Sequence, residues 1–194
     1  MKFNSLFVAL LALLTVSIGN LTFADVSAKN TKAIIVLLSQ TIPAKNDKII
    51  IERMNVLAPQ VKKAEFPAND ASLVDLSRYT SDAIKNADFK TAYQKLISEL
   101  PKDVHNSNHW LDKLENATTT PTEYFYTSEG NFVSMSACKP HDCPTNIKLI
   151  YNPKTKALWG LMHIDQKKSY LLGHPSDDQV ALLLIAIGDE INLY

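Results

Sequence analysis

The sequence predicts an α+β domain: a five-stranded antiparallel β-sheet meander flanked by helices, with a protruding disulfide-closed loop. Three observations predict it. Five apolar segments with strand character follow one another between residues 123 and 175, most of them separated by short turn material. Helical patterns stand before and after them in the chain, so the apolar face of the sheet can be covered by helices. The two cysteines of the 194-residue chain, Cys138 and Cys143, both fall between the second and third of those segments.

From the N-terminus, Lys2, the apolar run "LFVALLALLTVSIG" and "LTFA" ending at Ala24 read as a signal peptide over residues 1–24. The run is too short and wrongly flanked for a membrane span, so the mature chain is expected to be exported with no membrane partner. Residues 25–72 read as an N-terminal extension and linker. Their apolar clusters, "AIIVLLS" and "KIIIERMNVLAP", each suit a short helix or a strand, because periodicity does not arbitrate runs this short. Asn46 or Asp47 suits the cap of a helix running to Leu57 and stopped by Pro59. The polar stretch "KKAEFPANDAS" suits a linker.

Residues 73–194 form the expected main domain. "FKTAYQKLISEL" places Phe89, Ala92, Tyr93, Leu96, Ile97 and Leu100 at helical spacing, with Pro101 as a stop. "NHWLDKLENA" suits a second short helix or an irregular approach to the sheet. The strands are then "EYFYT", "NFVSMSA", "NIKLIYN", "ALWGLMHID" and "SYLLGHP". In the second of them Val133, Met135 and Ala137 fall on one face and Ser134 and Ser136 on the other. "PSDDQVALLLIAIGDEI" closes the chain as a helix with Ser176 or Asp177 as N-cap.

The formal net charge is zero, which gives no reason to expect a nucleic-acid partner. Charge is unevenly spread: seven Lys/Arg against five Asp/Glu in 25–72, and twelve against fifteen in 73–194. Catalytic motifs of the G-x-S-x-G and H-E-x-x-H kind are absent, and five glycines are few for a cofactor cradle, so no cofactor and no enzymatic activity are expected. His105 and His109 have the spacing of half a zinc site on a helix, but nothing nearby in sequence completes it, and no metal is expected. "NAT" at 116–118 matches a glycosylation sequon.

The chemistry concentrates in "SACKPHDC", residues 136–143. A zinc site wants four ligands, and Cys138, Cys143 and His141 supply three in a tight ring. A thiol oxidoreductase normally separates its cysteines by two residues, and here there are four. In an exported chain the pair is expected to form a disulfide. A ring this short adds only about 2 kcal/mol of stability by chain entropy. Two readings then stay open: a bridge that merely tidies a hairpin, and a presented loop in which Pro140 and the bridge hold His141 and Asp142 out with little entropy left to lose on binding.

"VSMSACKPHDC", with the strand after it and "GLMHID", resembles the periplasmic Ivy family, inhibitors of vertebrate (c-type) lysozyme. CKPHDC is that family's signature as a block, and the resemblance covers roughly residues 75–194, leaving 25–72 as an addition. A chain beginning at Ala71 is therefore expected to fold and act alone. The resemblance implies a periplasmic inhibitor that plugs the lysozyme cleft and protects peptidoglycan. It implies that Cys138 and Cys143 staple the loop, that Lys139 and Pro140 shape it, that His141 meets the catalytic carboxyls, and that Asp142 assists in positioning. The implied partner is c-type lysozyme, and a homodimer is compatible with the family. Two alternatives remain: control of endogenous lytic transglycosylases, which handle the same glycan, and a periplasmic thiol or metal protein using the Cys-x4-Cys loop.

Overall fold

The computed structural model describes residues 28–165 and 167–188, so the signal peptide expected at 1–24 lies outside the described residues. The two ambiguous apolar clusters are helices, α1 (Ala28–Ser39) and α2 (Asp47–Leu57), joined through a short strand β1 (Thr41–Ile42). Asn46 caps α2 by accepting from the Lys48 and Ile49 amides. Pro59 lies inside a 3₁₀ turn, Ala58–Gln60, which ends the helix. The expected linker begins with a strand, β2 (Lys62–Ala64), and ends in a second 3₁₀ turn, Ala71–Leu76.

Helices α3 (Thr80–Ala83), α4 (Ala87–Ile97) and α5 (Lys102–Asn106) follow, then a kinked 3₁₀ segment, His109–Asn116. Strands β3 (Thr118–Thr119), β4 (Glu123–Thr127), β5 (Gly130–Lys139), β6 (Asp142–Tyr151), β7 (Leu158–Ile164) and β8 (Lys168–Leu172) lead to α6 (Asp177–Ile187). Ser176 and Gln179 form a capping box at the start of α6.

The α+β class stands, but the sheet is not five-stranded and not purely antiparallel. It has eight strands in the order β1-β8-β7-β6-β5-β4-β2, with β3 beside β5. β4 to β8 make the expected antiparallel run. β1 adds in parallel to β8 at one edge, and β2 adds antiparallel to β4 at the other. These added strands have two or three residues each, too few to carry a period-2 pattern, so tertiary pairing alone makes them strands.

Alternation along the strands sorts the side chains onto two covered faces. On one, Val133, Met135, Ala137, Ile147, Leu149 and Met162 pack with Phe89, Tyr93, Leu96 and Leu111 from α4 and the 3₁₀ segment. On the other, Phe125, Phe132, Ile150, Trp159, Leu161 and Leu171 pack with residues of α1, α2 and α6. The segment expected as an extension thus contributes both edge strands and half the cover of one face. Arg53 of α2 donates through Nε and Nη2 to the Asp178 carboxylate of α6, and Lys45 Nζ reaches Asp177 Oδ1 at 3.0 Å. The described residues include no helix long and apolar enough to cross a membrane.

Candidate functional site

β5 and β6, ten residues each, are the longest strands, and the cysteines sit at their joined end. The pairing runs regularly from Val133–Tyr151 to Cys138–Asn146, then jumps to Lys139–Asp142. Residues 143–145 are therefore surplus on β6, a bulge that suits Pro144, which has no amide to give the ladder. The disulfide Cys138–Cys143 ties this bulge to β5, with the Cα atoms 4.8 Å apart. It bridges the place where backbone pairing fails.

The expected protruding loop is instead a tight turn, Lys139–Pro140–His141–Asp142, with Pro140 and His141 between the two strands. Proline sets φ near about −65°, and His141 has φ 63°. Those signs belong to a type II turn, whose second central position favours glycine or asparagine because φ is positive. A histidine holds that position, and its side chain is exposed.

Polar bonds brace the turn. Lys139 Nζ reaches Asp142 Oδ2 at 2.9 Å, closing it from side to side. Asn146 Nδ2 donates to the Cys143 carbonyl at 3.1 Å. Thr145 Oγ1 stands 3.1 Å from Asp165 Oδ1, in the β7–β8 turn, and 3.5 Å from Asp142 Oδ2. The structure thus brings Cys138, Lys139, Pro140, His141, Asp142 and Cys143 into one small feature. It adds Thr145, Asn146 and Asp165, which sequence reasoning missed. Pro144 was the available signal for a bulge; nothing in the sequence points twenty residues ahead to Asp165.

Asn146 also begins a row across the sheet, paired with His163, which pairs with Ser169, which pairs with Thr41. His163 is buried, with Nδ1 2.6 Å from Ser169 Oγ and Nε2 without a partner. Burial pushes its pKa down.

The other histidines lie elsewhere. His105 Nε2 is 2.9 Å from Asp112 Oδ1 and His109 Nδ1 is 3.7 Å from Asp112 Oδ2, so both face one carboxylate. Among the described residues no group of three or more His, Cys, Asp or Glu side chains is arranged to hold a metal ion. At the end of the sheet away from the hairpin, a cleft of about 630 Å³ is lined by Lys95, Leu96, Glu99, Lys156, Trp159 and His174, among others. Its floor residues Leu96 and Trp159 are themselves almost fully buried.

The arrangement presents one exposed imidazole in a two-residue turn between β5 and β6. Among the described residues the site's thiols are consumed in the bridge, and no hydrogen bond joins His141 to a hydroxyl. No protein-family model matches the chain, and a search of curated proteins returns no match.

Proposed function

We propose that the chain is an exported proteinaceous inhibitor, not an enzyme, that sets the Lys139–Asp142 turn into the cleft of a c-type lysozyme and so protects peptidoglycan. The observation that carries this reading is His141. Its left-handed backbone, a conformation shared with Lys156, Asp165 and His174, holds an exposed imidazole in the turn that the disulfide closes. The resemblance of CKPHDC to the Ivy family supports the target. The disulfide suits an oxidising compartment such as the periplasm.

The chemistry is complementary. Lysozymes of this class place one protonated carboxyl and one ionised carboxylate about 5–5.5 Å apart across the cleft. A neutral imidazole carries one donor and one acceptor, so it donates to the carboxylate and accepts from the acid. Those bonds form in a desolvated cleft, where charge-assisted hydrogen bonds are stronger than at a surface. Pro140, the Lys139–Asp142 bridge and the disulfide order the tip before contact, which lowers the entropy lost on docking.

The direct test is a turbidity assay with c-type lysozyme and cell walls, adding the purified oxidised protein. Inhibition saturating at one protein per enzyme is expected. Full lytic activity in the presence of excess protein contradicts the reading. Inhibition of a lytic transglycosylase but not of lysozyme moves the target while keeping the mode of docking. A readily reduced pair of cysteines that binds zinc would replace both with a thiol or metal role.

A further inference from the structure

We propose that Thr145 and Asp165 are positioning residues of the hairpin tip, and that their hydrogen bond orders the tip even when the disulfide is absent. The binding half of this proposal rests on the docking reading above; the ordering half stands without any partner.

The bulge is the weak point of the hairpin. Residues 143–145 have no ladder partner on β5, and Pro144 has no amide to donate. A segment of this kind, carrying an exposed turn, has little backbone bonding to hold it. Yet Thr145 is only 2% exposed. Its hydroxyl has a single proton, and two carboxylates stand near it. Asp165 at 3.1 Å is within good bonding distance, and Asp142 at 3.5 Å is at its limit. Asp142 is already engaged by Lys139 Nζ at 2.9 Å. The proton therefore goes to Asp165.

Asp165 is presented for this by its own backbone. Its φ is 47°, a left-handed conformation that aspartate tolerates better than most residues. The β7–β8 turn thus reaches sideways to the base of the β5–β6 tip. Asn146, directly after Thr145, adds the bond to the Cys143 carbonyl. The bulge on β6 is thus tied to the β7–β8 turn through Thr145 and to β5 through the disulfide, while the Asn146 bond closes the bulge on itself. The hydrogen bond to Asp165 and the disulfide start from different residues of the bulge, and each limits the freedom of the same four turn residues.

The test compares wild type, the Cys138→Ser/Cys143→Ser pair, Thr145→Val, the triple variant and Thr145→Ser. Valine keeps the shape and suits a strand, so folding is retained; serine keeps the hydroxyl. Amide relaxation across residues 139–143 reads the order of the tip, and calorimetry with c-type lysozyme reads docking. The tip is expected to stay ordered in the Cys pair variant and in Thr145→Val, and to become mobile in the triple variant. Losing the tie to Asp165 should shift the still-ordered tip, so Thr145→Val should weaken lysozyme binding about tenfold, and Thr145→Ser should restore it. Asp165→Ala should match Thr145→Val. A Cys pair variant already as mobile as the triple variant overturns the proposal, and so does a triple variant no looser than wild type. If wild type binds no lysozyme while the tip loosens as described, the docking reading fails and the brace stands. If lysozyme binds and Thr145→Val binds equally well, the brace has no positioning role.

Discussion

In the middle of the sheet β5 and β6 pair without interruption, with their side chains covered on both faces; at their joined end the same two strands carry a register shift, a proline, a left-handed histidine and a disulfide. The middle is held by burial, with Ile147, Leu149 and Ile150 fully enclosed. The tip is held by one covalent bridge and a handful of polar contacts, with His141, Cys143 and Pro144 exposed. The difference teaches where each kind of change should be felt. Damage to the middle should unfold the protein. Damage to the tip should leave it folded and impair what it docks with.

Removing the N-terminal segment tests the middle and should have the largest effect. Ile34, Leu37, Leu38, Ile50, Met54, Leu57 and Val61 belong to the second core. Each buried side chain of this kind contributes about 1.5–3 kcal/mol, so their sum rivals the roughly 5–15 kcal/mol that holds a whole domain together. A chain beginning at Ala71 also lacks both edge strands. It should be insoluble or lack a cooperative thermal transition. If it melts cooperatively near the temperature of the longer chain, the second face is not a required core.

Opening the disulfide tests the tip. The short ring should contribute about 2 kcal/mol to stability, so Cys138→Ser with Cys143→Ser should shift the melting temperature by several degrees and keep the far-ultraviolet spectrum. A molten spectrum in that variant would erase the distinction between the two regions. The smallest effect is expected from pH, acting through His163. Burial depresses its pKa in the folded protein below the ordinary value of 6.5. Below that value the unfolded chain binds the extra proton first, so stability is full above it and is lost as pH falls through it. Between about pH 7.5 and about pH 5.5 the melting temperature should fall more for wild type than for His163→Gln. Equal falls would mean that His163 titrates as freely as an exposed histidine.

The five long strands, α4 and α6 were legible because they carry enough residues for a period to show, and Ser176 marked its helix start as a cap should. β1, β2 and β3 were not, since "TI", "KKA" and "TT" become strands only through their neighbours. The apolar runs of α1 and α2 suit helix or strand equally, and only their packing against α6 and the sheet decides. At the site, two cysteines in a chain read as exported predicted the bridge. The bulge, the positive φ of His141 and the contact to Asp165 depend on register and on a turn distant in sequence, which no local pattern encodes.

The central claim is that His141 is the group that meets the partner's carboxyls. Calorimetry of His141→Ala against c-type lysozyme tests it most directly, with His105→Ala and His109→Ala, whose rings face Asp112, as matched controls. Removing a central, desolvated hydrogen-bonding side chain at an interface commonly costs about 2 kcal/mol, roughly thirtyfold in affinity. His141→Ala should lose about that factor with its melting temperature unchanged, and the two control variants should bind as wild type does. His141→Ala binding as tightly as wild type, with either control weakened, would contradict the account.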